Sequence, residues 1–146
     1  MTATTRAPLS PEVIPTAILA GKAIVTLANR HTGNRFTFQI AICEDKPDLF
    51  FVSVLSGTDN VHDYHYLGCI RGACYAHGRK SRIAETAQSA QVFAWFWKHL
   101  QRLPLHVEVW HEGRCLRCGR VLTVPASLAT GLGPECIKYR AAEDRS

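Results

Sequence analysis

No apolar stretch in this 146-residue chain approaches the roughly 20 residues that a membrane-spanning helix requires. The most apolar run near the start, Val13 to Ala20, is interrupted by Pro15 and closed by Gly21 and Lys22. It lacks the basic start and clean apolar stretch of a secretory leader, so the expected setting is a reducing cytoplasm with no membrane partner. The chain also lacks a phosphate-binding glycine loop, a paired-carboxylate motif, a metalloprotease helix motif, internal repeats and low-complexity tracts. These absences argue against an enzyme. Carboxylates are unevenly spread: none occurs between Tyr64 and Ala84, where Arg71, Arg79, Lys80 and Arg82 all lie.

What is present suits one soluble domain. Apolar residues make up 47% and charged residues 20%, and 146 residues can bury a core but hardly two. The formal charge of +5 permits nucleic-acid binding without demanding it.

Hydrophobic patterning predicts an α+β fold, an antiparallel β-sheet of about five strands packed by one main α-helix, to which the cysteine spacing adds an expected C-terminal zinc knuckle. Residues 1–9 are expected to be a flexible tail. Ser10-Pro11-Glu12 reads as the cap and first turn of a short helix ending near Gly21. Lys22 to Ala28 is β-branched and apolar. In Arg35 to Ile42 the residues Phe36, Phe38, Ile40 and Ile42 share one face and alternate with Thr37, Gln39 and Ala41. Leu49 to Leu55 is a continuous apolar run, and His62 to Ile70 follows the turn signal at 56–60. From about Glu85 to Leu103 the period becomes helical, with Ala90, Phe93, Phe96, Trp97 and Leu100 on one face, until Pro104 stops it. Leu105 to His111 is the last strand. The body thus spans 10–110, a knuckle packed on it spans 111–140, and 141–146 is a tail.

The strongest chemical signal is cysteine spacing. Cys115 and Cys118 lie two residues apart ahead of Gly119, and Cys136 returns on a Gly-Pro turn. Thiolates at this spacing can point at one ion from a tight turn, and tetrahedral structural zinc takes four such donors. His111, four residues before Cys115, completes a His-x3-Cys-x2-Cys-x17-Cys set. His106, Cys74 and Cys69 are the alternative fourth ligands, although His106 should point to the other strand face from His111. A redox pair is the competing reading of CxxC, but such pairs usually open a helix. A closed four-ligand zinc leaves no position for substrate, so the expected cofactor is structural Zn2+. Cys69 and Cys74 with His62, His65 and His77 form a looser candidate for a second site.

Residues 114 to 136 carry Cys115, Cys118, Gly119, Arg120, Leu122, Thr123, Pro125, Ser127, Gly131, Gly133, Pro134 and Cys136 in the order CxxCGRxLTxPxSxxxGxGPxC. This pattern resembles the zinc-knuckle domain of unknown function 6011 of phage, prophage and bacterial proteins. Segments at 33–38, 57–60 and 64–68 look, more loosely, like phage proteins that carry the knuckle. The resemblance implies zinc and a mobile-element setting in the cytoplasm of a bacterial host cell. It implies no activity.

Two functions from different classes then compete. In the first, a non-enzymatic nucleic-acid-binding module contacts phosphates through Arg71, Arg79, Lys80, Arg82, Arg114 and Arg117, and stacks bases on Trp95 beside Lys98 and Arg102. Tyr64 and Tyr66 either stack bases too or form the floor beneath the helix, which is the expected role. In the second, a phage-encoded factor docks on a host protein complex, such as a defence nuclease, through the same surface.

Overall fold

The computed structural model describes residues 7–56, 63–72, 74–119 and 130–132. The chain forms β1 (Ala7–Pro8), a 3-10 turn (Pro11–Val13), α1 (Ile14–Ile18), β2 (Lys22–Asn29), β3 (Arg35–Cys43) and β4 (Lys46–Leu55). It continues with β5 (Tyr64–Arg71), β6 (Cys74–His77), α2 (Gln88–Lys98) and β7 (Val107–His111). The strands make one antiparallel seven-stranded sheet in the order β1-β7-β2-β3-β4-β5-β6.

The sheet is therefore larger than the expected five strands. The two additions, β1 and β6, span two and four residues and are too short to carry a readable alternation. β1 pairs Ala7 with His111 and Pro8 with Trp110, and Leu9 is buried, so the end of the expected tail belongs to the body. β6 falls inside the basic stretch that begins at Arg71, where Gly72 at φ 55° turns the chain tightly enough to pair Arg71 with Cys74. Lys46-Pro47-Asp48 opens β4 ahead of the apolar run from Leu49, because Glu44 and Asp45 suffice to reverse the chain.

One sheet face carries the core. Ala23, Val25 and Leu27 of β2, Phe38 and Ile40 of β3, Phe50, Val52 and Val54 of β4, and Val109 of β7 are all buried on it. Against them pack Val13, Ile14, Ala17 and Ile18 from the N-terminal turn and α1, and Ala90, Phe93 and Phe96 from α2. The ring of Phe93 meets Phe38 at 5.0 Å and Tyr75 at 4.9 Å, so the helix sits across the sheet by aromatic contact. α2 ends sooner than expected: at His99 the Nδ1 atom lies 2.8 Å from the carbonyl oxygen of Trp95 and ties off the last turn.

The opposite face is where Tyr64 and Tyr66 lie, contrary to their expected place beneath the helix. Leu55 pairs with Tyr64 and Ser53 with Tyr66, and these β4 residues alternate with the buried Val52 and Val54. A bulge causes the inversion. Val52 pairs with Gly68 and Ser53 with Tyr66, leaving Leu67 as the extra residue, and this shifts the side-chain phase along β5. The tyrosine under the helix is Tyr75 of β6.

Tyr75 has a testable signature. Its hydroxyl is buried without a hydrogen-bond partner among the described residues. Burial, then the nearby Tyr66, Cys69 and Glu85, pushes its pKa up to about 12. The folded chain thus holds this proton more tightly than an unfolded tyrosine, which releases it near pH 10. The corresponding stability is complete below about pH 10 and is lost as pH rises toward 12. Tyr75→Phe is expected to flatten that alkaline loss in thermal melts. At pH 7 it should leave the melting temperature unchanged or slightly higher, since it deletes an unpaired buried hydroxyl. A clear fall at pH 7 would count against the unpaired state.

Candidate functional site

Three of the expected metal ligands, His111, Cys115 and Cys118, follow one another from the end of β7 into the turn after it, and among the described residues they do not assemble into a metal-holding group. His111 pairs with Val25 and shares its buried face, with 1% of its surface exposed. A backbone N–H from Gly113 donates to His111 Nδ1 at 2.9 Å, so that nitrogen carries the lone pair of the neutral ring. Cys115 is also 1% exposed and sits in the same core cluster. The N–H of Arg117 donates to its Sγ at 3.4 Å, and the N–H of Gly119 closes the turn on its carbonyl at 2.8 Å. Gly119 makes this possible with φ 83°, a left-handed conformation in which a side chain is strained. Cys118 is exposed at the rim of the turn.

The turn is tied into the body. Leu116 donates its N–H to Gly131 O at 2.8 Å and accepts from Lys22 N at 2.7 Å. Leu116 and Leu132 are buried in the main core. A Cβ on Gly131 would come within 2.8 Å of Leu9 and 2.9 Å of Leu116, so glycine lets the returning chain lie against both. Imidazole and thiolate are donor types that zinc takes, but zinc at His111 would require the Gly113 hydrogen bond to give way, either to the metal at Nδ1 or to a proton there with the metal at Nε2. Cys136, Arg120 and the expected short helix from Thr123 lie outside the described residues.

The alternative fourth ligands are remote. His106 lies five residues before His111, just outside β7 and about 16 Å away at strand rise, and stacks on His31 with ring centroids 4.2 Å apart. Cys69 on β5 is four strands from β7, on the order of 19 Å. Cys74 is on β6, one strand further. Cys69 and His77 occupy opposite sheet faces, since Cys69 pairs with Phe51 on the open side while His77 follows Tyr75 by two residues on the helix side. No group of three metal-binding side chains assembles among the described residues. His62 lies outside them.

The cations expected to bind phosphate do not form one patch. Arg71 lies at the end of the sheet that adjoins the turn after β7, with Lys22 and Arg117. Arg114 precedes the Cys115–Gly119 turn, with its guanidinium donating to Gly119 O at 3.2 Å. Arg79, Lys80 and Arg82 follow β6 and lie toward the opposite end, where Ser81 Oγ donates to Tyr66 O at 2.7 Å and pins their turn. Lys98 and Arg102 are exposed beyond Trp95 on and after α2. Trp95 is 36% exposed, and its indole stacks on His99 at 4.6 Å.

Sequence reasoning missed the residues around the β2–β3 hairpin. Arg30 and Arg35 flank its turn and line a small cavity with Trp110 and Glu108. Arg30 Nε sits 3.7 Å from Glu108, an exposed ion pair that contributes little to stability. Trp110 faces the open side of the sheet, as its pairing with Thr26 and the burial of Val109 require. The available signal was the Asn-Arg-His-Thr-Gly-Asn-Arg turn itself, because a hairpin brings the residues on its two flanks together.

No curated protein and no solved structure matches the chain. Residues 109–140, the segment running from the end of β7 through His111, Cys115, Cys118 and Cys136, match the family of unknown function DUF6011, and the chain resembles that family over this segment.

Proposed function

We propose that this protein is a non-enzymatic nucleic-acid-binding module whose C-terminal segment is stapled to its body by one structural zinc ion. The observation that supports nucleic acid best is the sheet face turned away from both helices. Among the described residues, the helices and the knuckle pack on the other face. The open face carries Trp110 toward one edge and Phe51, Tyr64 and Tyr66 toward the other, with Thr26, Thr37, Gln39 and Ser53 between them. Phe51 is 42% exposed and meets Tyr66 at 6.3 Å. Exposed rings on a sheet accept bases by stacking, and the polar centre keeps the face wettable. Arg30, Arg35, Lys22 and Arg71 stand at its ends and would hold phosphates.

In this reading His111, Cys115, Cys118 and Cys136 hold the zinc, which supplies folding free energy and no reaction step. Arginines position the backbone, and the aromatic rows take bases from a single strand, since a duplex keeps its bases stacked.

Anisotropy titrations with labelled single-stranded DNA, single-stranded RNA and duplex DNA test this. Single strands are expected to bind more tightly than duplex. For four phosphate contacts, affinity should fall about 50-fold between 50 and 200 mM salt. Phe51→Ala with Trp110→Ala should weaken binding about tenfold or more while leaving the salt slope unchanged. Absence of binding to all three at 50 mM salt sinks the proposal.

A further inference from the structure

A cavity of about 400 Å³ lies behind the β2–β3 hairpin, between α2, β3 and the start of β7. It is separate from the open sheet face but shares Ala28 and Asn29 with the small cavity that holds Arg30 and Arg35. Its deep wall is apolar, with Leu27, Phe36, Val92 and Val107, and the Trp95 indole stands at its side. No Asp, Glu, Lys or Arg lines it. The polar lining includes four carboxamides, from Asn29, Asn34, Gln88 and Gln91.

These carboxamides are not used up by the fold. Asn29 Oδ1 accepts from His31 N at 2.9 Å and Thr32 N at 3.2 Å, which leaves its NH2 group as the free end. The side-chain amides of Asn34, Gln88 and Gln91 take part in no hydrogen bond among the described residues. A wall without Asp, Glu, Lys or Arg disfavours burying a phosphate, carboxylate or ammonium group. It suits a flat, neutral ligand with hydrogen-bonding edges. The volume is that of a small-ligand site at the lower end of the usual range.

We propose that this cavity receives one unpaired nucleobase, with adenine preferred. An indole offers a stacking face, and a carboxamide offers the adjacent donor and acceptor that match the N6 and N7 atoms of adenine. Guanine presents two acceptors at the same edge and is better matched by arginine, which the cavity lacks. The base's own phosphates would remain outside, next to Arg30 and Arg35 across the hairpin. This proposal rests on the nucleic-acid reading for its physiological ligand, but its chemistry can be probed with a free nucleoside.

The full-length protein is titrated with a labelled adenine oligonucleotide, a thymine oligonucleotide of equal length, and adenosine alone. The adenine strand should bind roughly ten- to a hundredfold more tightly than the thymine strand, the range of one well-held base. Adenosine should shift the Trp95 indole N–H resonance. Trp95→Ala and the exposed-helix variant Gln91→Ala should each erase most of the adenine preference, leave thymine binding and the salt slope unchanged, and melt within a few degrees of the parent. Trp95→Phe should restore much of the preference. Oligonucleotide binding with no adenine preference, or with one that survives both substitutions, overturns the base pocket and leaves the open-face reading standing. A Trp95 shift with adenosine but no oligonucleotide binding would instead uphold the pocket and remove the nucleic-acid reading. If neither adenosine nor any oligonucleotide binds, both fall.

Discussion

Replacing Cys118 by serine is expected to release one zinc ion per chain and to lower the melting temperature of the whole protein by about 10 °C or more. Structural zinc sites in finger peptides contribute on the order of 10 kcal/mol of apparent free energy at pH 7. Here the metal would not hold an independent finger. Cys115, Leu116 and Leu132 lie in the same core cluster as Leu9, Val25 and Ile18. Strand β7, which leads into the site, pairs with both β1 and β2. Loss of the ion should therefore loosen the β1–β7–β2 edge as well as the knuckle. For a chain of this size, 1 kcal/mol moves the midpoint by about 3 °C, so even a third of the metal's free energy gives a shift of about 10 °C. Zinc content by atomic emission and a thermal melt are the two measurements. Cys69→Ser, on the far side of the sheet, should keep its zinc and its melting temperature. His111→Ala should behave like the Cys118 variant, and a chelator should reproduce both in the parent protein. A Cys118→Ser protein that still carries one tightly bound zinc would rule out the proposed ligand set.

The long elements were legible because each carries a full period of buried and exposed residues. β3 shows the alternation of Phe38 and Ile40 with Thr37 and Gln39, and α2 shows the spacing of Ala90, Phe93 and Phe96. β1 and β6 were not legible, because two and four residues cannot display a period and their pairing is fixed by β7 and β5. The phase of β5 was misread for a different reason. A bulge at Leu67 reverses the inward set, and a bulge has no signature in a run of apolar and aromatic residues. For the candidate metal centre, spacing alone brought His111, Cys115 and Cys118 to notice. Strand alternation already set His106 on the other face from His111, and in the structure His106 stacks on His31. The surroundings of the hairpin went unread because its two arginines, two stacked imidazoles and two indoles come from three separate segments of chain.

Phe93→Ala is expected to destabilise the protein by about 3–5 kcal/mol, the usual cost of truncating a buried phenylalanine. Phe93 is 0% exposed, and its ring touches those of Phe38, Tyr75 and Phe96 at 5.0, 4.9 and 5.9 Å. It is the side chain through which α2 grips both the centre and the β6 edge of the sheet. Because domains are stable by only about 5–15 kcal/mol in all, this one change should remove a third or more of the total. Removing the ring leaves a cavity between rigid neighbours, and Phe38 on β3 can follow it only by disturbing its ladder with β2 and β4. Trp95→Ala, two residues along the same helix but 36% exposed, should cost far less. Urea melts of the two variants against the parent measure this, with the m-value expected to stay constant. The Phe93→Ala protein should retain its zinc while folded, since its contacts lie on other strands than the knuckle, whereas the Cys118→Ser protein should not. A Phe93→Ala change below about 1 kcal/mol would mean that α2 is not held by this ring, and the placement of Gln88, Gln91 and Trp95 over the hairpin cavity would lose its physical basis.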